Sequence, residues 1–223
     1  MPYYDFDKRK LTFGVIGMNE CLKNLINQKL VSKDGYKFAI KIIEHMSDRI
    51  KKLSKEDGIS YALEQTPAEA ATHKLATNDK KRFKKANVQG TKGKYYYSNS
   101  THVPYKEDIS LSDKIELESS FHPYFSGGVI THVWMGESKP SVESMKNLVK
   151  KISKTKTAYF TFSPDYSICA NGHYIRGKKE SCSECNSRIV DHINRVVGFF
   201  TKTSAWNPGK RQEYQDRKRF VIK

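Results

Sequence analysis

Arg195-Val196-Val197-Gly198-Phe199-Phe200 sets a glycine inside an apolar run, 25 residues before the end of a 223-residue chain. Glycine ordinarily marks a turn, because it tolerates positive φ. Turn-forming company is missing here: the nearest Asn, Asp or Pro is Asn194, ahead of the arginine. A bare glycine among bulky apolar residues reads as a buried loop tip whose Cα–H must be reachable. A glycyl Cα can carry an unpaired electron, since the flanking amide nitrogen and carbonyl delocalise it in a plane. A side chain would crowd that plane and shield the hydrogen. The plainer reading is a strand glycine against which another backbone packs. The flanking sequence decides between them.

Downstream stands Trp206-Asn207-Pro208-Gly209-Lys210, and upstream a cysteine–histidine cluster. Cys169-Ala170-Asn171-Gly172-His173 is followed after eight residues by Cys182-Ser183-Glu184-Cys185. Cys-x2-Cys on a tight turn presents two thiolates to one ion, and Cys-x3-His supplies the other half of a tetrahedral zinc site. Cys169, His173, Cys182 and Cys185 are therefore expected to hold a structural zinc, with no position left for water. His192 is the alternative to His173, and Cys21 a remote one. Such a zinc staples the segment that carries Gly198. A nucleic-acid-binding zinc ribbon is the competing reading.

The charge balance feeds that competition. The formal net charge is +16, which implies an anionic partner: nucleotide phosphates, nucleic acid or an acidic protein surface. A solvated basic surface explains much of the excess, since Lys80, Lys81, Arg82, Lys84 and Lys85 run together, as do Lys150, Lys151, Lys154 and Lys156. Three of the four cysteines cluster late, which suits a metal site in a reducing cytosol better than a disulfide framework. No apolar stretch approaches the ~18 residues that span a bilayer. Met1-Pro2-Tyr3-Tyr4-Asp5 lacks the regions of a signal peptide.

Hydrophobic periodicity predicts an α/β chain. Residues 11–17 read as a buried strand ending in a glycine turn, 19–31 as a helix, and 34–53 as a second helix capped by Asp34. Residues 59–63 read as a strand. Thr66-Pro67-Ala68-Glu69 carries a helix-start signature, with Thr66 at the cap, Pro67 at the first helical position and Glu69 three after the cap. That helix would run to about Leu75, and its free N–H groups would form a site for substrate phosphates. An ordinary capping box is the bland alternative. Residues 78–105 read as a long irregular excursion, in which Tyr95-Tyr96-Tyr97 could face a base or ribose or pack as a strand. Gly127-Gly128 precedes a strand at 129–135, 140–153 reads as an amphipathic helix, and 158–162 as a strand. The clearest boundary falls at about 164. Cys21 beside Glu20 reads as a small core residue rather than a redox thiol. Serine-hydrolase, P-loop and dinucleotide fingerprints are absent.

Gly14-Val15-Ile16-Gly17-Met18-Asn19-Glu20, Thr66-Pro67-Ala68-Glu69, Asn99-Ser100-Thr101-His102-Val103-Pro104, Gly127-Gly128, the metal cluster, Arg195–Phe200 and Trp206–Lys210 together resemble the C-terminal part of the anaerobic (class III) ribonucleoside-triphosphate reductases. The resemblance covers nearly the whole chain and keeps the motif order. It implies the second half of a ten-stranded α/β barrel over residues 1–163, a zinc ribbon over 164–190, and a glycyl radical loop with a tail over 191–223. Gly198 would be the radical site, Cys169, His173, Cys182 and Cys185 the zinc ligands, and Thr66, Pro67, Ala68 and Glu69 the holders of substrate phosphates. Val197 and Phe199 depart mildly from the family's residues beside the radical glycine, usually small or cysteine before it and tyrosine after it.

The resemblance also implies partners. The family's thiyl cysteine and its allosteric nucleotide domain lie upstream of everything matched, and Cys21 sits in the wrong motif to replace that cysteine. The chain therefore reads as the second piece of a divided reductase, in tight complex with an N-terminal fragment. A radical activase using S-adenosylmethionine and an iron–sulfur cluster would install the radical. Ribonucleoside triphosphates would be the substrates, formate the usual reductant, and the assembled enzyme a dimer. The expected compartment is the bacterial cytoplasm, or that of a bacterial host if the chain is phage-encoded. A spare glycyl-radical subunit is the third reading, beside the reductase fragment and the zinc-ribbon binder.

Overall fold

The computed structural model describes residues 9–222. Met1–Asp5, read above as carrying no signal peptide, lies outside them. The first strand, expected to be buried over 11–17, is β1 (Lys10–Gly14), and it lies exposed apart from the partly covered Leu11. α1 (Met18–Ile26), α2 (Lys33–Asp57) and β2 (Ser60–Glu64) follow. β1 and β2 pair in parallel, with Lys10 opposite Ser60 and Gly14 opposite Glu64. Parallel neighbours need a crossover, and α1 and α2 provide it. Leu22, Leu30, Ala39, Ile43 and Leu63 close a core between them, each at most 1% exposed.

Two helix ends differ from the sequence reading. α1 stops at Ile26 because Asn27 takes a left-handed conformation, φ 54°. α2 is capped by Ser32, whose Oγ accepts from the Gly35 N–H at 3.2 Å, while Asp34 lies in the first turn. A carboxylate there still complements the helix dipole.

A larger difference concerns Thr66-Pro67-Ala68-Glu69. No helix begins at Thr66. α3 spans Ala71–Arg82, and Ala70 occupies its cap without a side-chain hydrogen bond. Ala68 has a left-handed φ of 42°, which breaks helical continuity from Pro67. Thr66 instead packs against the backbone of Gly14 at the end of β1.

α4 (Leu111–Ser119), which the periodicity did not reveal, precedes β3 (Thr131–Gly136), α5 (Val142–Ile152) and β4 (Phe160–Pro164). β3 and β4 are again parallel, Thr131 opposite Phe160, with α5 as crossover. Gly127 and Gly128 tie the approach to β3 onto β2: Gly127 N–H donates to Leu63 O at 2.7 Å, and Gln65 N–H to Gly128 O at 2.9 Å.

After residue 164 the pairing becomes antiparallel. β5 (Tyr166–Cys169), β6 (Tyr174–Arg176), β7 (Ile189–Arg195) and β8 (Phe200–Lys202) form one sheet in the order β6-β5-β7-β8, and α6 (Pro208–Asp216) follows. β7 crosses residues 190 and 191, so the cysteine-rich segment and the glycine hairpin share a sheet. No helix among the described residues is long and apolar enough to cross a membrane.

Candidate functional site

The four expected metal ligands converge. One donor atom from each of Cys169, His173, Cys182 and Cys185 lies within 4.8 Å of every other. Cys169 and Cys185 Sγ are 3.8 Å apart, and Cys182 Sγ is 3.5 Å from His173 Nδ1. A tetrahedron with zinc–sulfur bonds of 2.3 Å has sulfur–sulfur edges of about 3.8 Å, so the donor set fits zinc. A hydrogen bond with the Ser187 hydroxyl, 2.9 Å away, holds the Cys185 thiol down at about 6, toward the ligating thiolate. His192 is not a competitor: its Nδ1 lies 3.0 Å from Ser167 Oγ. Cys21 sits on α1, where burial and then the Glu20 carboxylate push its thiol up.

β7 leads from this cluster to the glycine. Arg195 pairs with Phe200, and Val196 N–H donates to Phe199 O at 3.0 Å, so Val196–Phe199 form the tip of the β7–β8 hairpin. Val196 and Val197 are buried, whereas Gly198 is exposed and Phe199 is 74% exposed. The buried loop tip expected from composition is therefore an exposed, apolar hairpin tip. The alternative of a strand glycine packed against another backbone fails as well. A Cβ built on Gly198 would meet nothing within 4 Å, and its φ lies outside the left-handed range. Neither packing nor backbone geometry in this chain demands glycine at 198.

Trp206-Asn207-Pro208-Gly209-Lys210 explains how the hairpin is held. Trp206 Nε1 donates to Thr201 Oγ1 at 2.7 Å. Asn207 caps α6 through Lys210 N–H at 2.9 Å and donates to Glu69 O at 3.0 Å. Pro208 occupies the first turn of α6. A Cβ on Gly209 would come 2.7 Å from both Tyr95 O and His73 Nδ1, so only glycine lets α6 approach α3 this closely. The fully buried Lys210 ammonium donates to Glu213 at 2.6 Å and to Asn99 Oδ1 at 3.1 Å.

Arg217, just past α6, completes the clamp. Its guanidinium donates to Glu213 Oε1 at 2.8 Å, Asn194 Oδ1 at 2.8 Å, Arg195 O at 2.8 Å and Val196 O at 3.1 Å. Burial pushes the Glu213 carboxyl up, but Lys210 and Arg217 outweigh it and hold it below the ordinary range. Pairing of this kind is what makes a buried charge tolerable. Sequence reading missed this network. Its signal was the i, i+3, i+7 series Lys210, Glu213, Arg217 after a helix start at Asn207-Pro208.

A second buried network backs the 66–70 loop. Gln65 Nε2 donates to Thr101 Oγ1 at 2.9 Å, and its Oε1 lies 3.0 Å from His102 Nε2 and accepts from Ile130 N–H at 3.0 Å. Lys114 and Glu118 pair at 2.7 Å beside it, and Glu118 accepts from Val103 N–H at 3.0 Å. Ala68 and Ser100, both non-glycine residues in left-handed conformations, flank this network. Among the described residues no acceptor is found for the N–H groups of Ala68, Glu69 and Ala70, which lead into α3. Free N–H groups at a helix start suit an anion. Tyr96 is buried and donates to Asp216, and Tyr97 donates to Asp79, each at 2.8 Å, so these two tyrosines serve the packing.

Comparison with known proteins accounts for this combination. Residues 4–220 match the model of the family described as anaerobic ribonucleoside-triphosphate reductase, and the chain belongs to that family. It is 26% identical over 224 residues to the anaerobic ribonucleoside-triphosphate reductase of Haemophilus influenzae, covering 94% of this chain and 31% of that protein. A solved anaerobic ribonucleotide reductase superposes with a TM-score of 0.80 at 28% identity, covering 96% of this chain and 35% of the other. The Thermotoga maritima enzyme in complex with dATP and CTP gives a TM-score of 0.73 at 28% identity, over 91% and 33%. The chain thus spans about a third of the length of the relatives it matches.

Proposed function

We propose that the chain is the radical-bearing C-terminal part of an anaerobic ribonucleoside-triphosphate reductase, with Gly198 as the radical site. The observation that carries this reading is the glycine itself. It stands at the tip of an apolar hairpin, in open space and with a φ outside the left-handed range, yet the buried Arg217 holds the carbonyls of its stem and is itself paired to Glu213 on α6. A residue that needs no glycine for folding has a chemical reason to lack a side chain: an accessible Cα–H and a Cα free to become planar.

In this reading an activating enzyme that cleaves S-adenosylmethionine at an iron–sulfur cluster removes one Cα hydrogen atom. A cysteine in the N-terminal part of the reductase then exchanges a hydrogen with Gly198 and attacks the ribose of a ribonucleoside triphosphate, with formate as reductant. Residues 1–163 supply the second half of the ten-stranded barrel through the parallel pairs β1–β2 and β3–β4. Residues 164–190 form the zinc ribbon, and 191–223 the radical hairpin and tail. Zinc held by Cys169, His173, Cys182 and Cys185 is structural, since four protein donors leave a tetrahedral zinc no open position for water. The loop Thr66-Pro67-Ala68-Glu69 binds substrate phosphates through its free N–H groups, a role that survives the absence of a helix start at Thr66. The exposed Phe199 and Phe200 are covered by the N-terminal part, which excludes water from the radical. The assembled enzyme is a cytoplasmic dimer.

Oxygen supplies the test. After anaerobic activation of the assembled enzyme, air should cleave the backbone at Gly198, and mass spectrometry should find both fragments. An intact chain after air exposure of a demonstrably activated enzyme contradicts the reading.

A further inference from the structure

Among the described residues, a single side chain makes a polar contact with Gly198: Arg195 Nη1 donates to the Gly198 carbonyl oxygen at 2.6 Å. The same guanidinium lies 4.7 Å from the centroid of the Phe200 ring, which faces Arg195 across the hairpin. The aromatic face and the carbonyl thus fix the cation between them. Hydrogen bonds from a cation to a carbonyl are short and about twice as strong as neutral ones.

We infer that Arg195 tunes the radical by polarising the Gly198 carbonyl, drawing the unpaired electron from Cα toward the carbonyl oxygen. The inference rests on Gly198 being the radical site. When that site is activated, the Cα–H bond breaks homolytically. The hydrogen atom leaves with its electron to form a C–H bond on the activating radical, and one electron stays at Cα. No net charge moves. The remaining electron is shared between an electron-donating amide nitrogen and an electron-withdrawing carbonyl, and that sharing builds negative charge on the carbonyl oxygen. A guanidinium at 2.6 Å therefore stabilises the radical more than the closed-shell glycine. At the exposed tip the Gly198 carbonyl turns back to a cation of its own stem, while the space a Cβ would occupy stays open.

The test uses the assembled enzyme grown on glycine labelled with carbon-13 at the carbonyl and arginine labelled with nitrogen-15. In the wild type, pulsed EPR should detect a carbonyl carbon coupling and a weak nitrogen-15 coupling from the guanidinium. Arg195→Gln should lower the accumulated radical about tenfold and change the carbonyl coupling, with zinc content and melting temperature retained. Arg195→Lys, which keeps the cation, should recover most of the yield. Radical without nitrogen-15 coupling in the wild type, or an unchanged carbonyl coupling in Arg195→Gln, overturns the role of Arg195 and leaves the radical assignment standing. No radical in the activated wild type overturns the assignment itself.

Discussion

The Arg217 guanidinium lies 3.9 Å from the centre of the Trp134 ring while its nitrogens hold the carbonyls of Arg195 and Val196. One side chain therefore joins β3 to the stem of the glycine hairpin. Arg217 is 3% exposed, and its removal would leave Glu213 short of a partner in the interior. Arg217→Ala should cost about 3–5 kcal/mol. Urea denaturation measures the loss, and amide exchange should quicken first at Val196. A loss of only a few tenths of a kcal/mol would deny the clamp.

Gly198→Ala and Gly209→Ala should behave oppositely. Open space at Gly198 predicts a change within about 0.5 kcal/mol. At Gly209 the new methyl would meet Tyr95 O and His73 Nδ1 at 2.7 Å, so α6 must shift and the melting temperature must fall. A destabilised Gly198→Ala chain would show that the glycine is structural after all.

Removing the metal should loosen one sheet. Cys182→Ser, or a chelator, should abolish zinc binding and speed amide exchange in β5 and β7, while the α2 core exchanges as before. Unchanged protection at Ile168 and Ile189 in a zinc-free chain would deny that the metal staples the hairpin sheet.

Acid should destabilise the chain through its buried histidines. His122 Nδ1 accepts from Ala158 N–H at 2.9 Å, and its Nε2 lies 3.2 Å from Thr131 Oγ1, an arrangement that suits the neutral ring. Burial lowers its pKa from 6.5 to about 4. As pH falls through this interval the unfolded chain takes up the proton first, so stability is complete above 6.5 and declines toward 4. Burial lowers His102 and His132 as well, with the same sign. Urea midpoints across this range should fall with pH, and His122→Gln should flatten the slope. An equal slope in the variant would assign the acid sensitivity elsewhere.

Legibility in the sequence followed the range of the forces involved. Metal-ligand spacing is short-range chemistry, and all four residues named from it converge. The strand–helix alternation also reads locally, because apolar periodicity marks each crossover helix, although in α5 only Ile152 of that stripe is buried. The Thr66 helix start was misread since a tertiary demand overrides the capping box: Ala68 turns left-handed and Thr66 packs on Gly14. α4 escaped although Ser110 caps it through Asp113 N–H at 3.1 Å, because its polar face carries the buried pair Lys114–Glu118. A loop tip at Gly198 was legible, but its hairpin pairing and exposure were not, because the turn uses apolar residues and its stem is held by Arg217, whose contacts lie elsewhere in the chain.

The most direct measurement is the EPR spectrum of the assembled, anaerobically activated enzyme made with α-deuterated glycine and with Gly198→Ala. Unlabelled protein should give a doublet from the remaining Cα hydrogen, which collapses on deuteration, and a Gly198→Ala chain that still folds and binds zinc should give no signal. A doublet that persists in Gly198→Ala, or none in the activated wild type, would contradict Gly198 as the radical site.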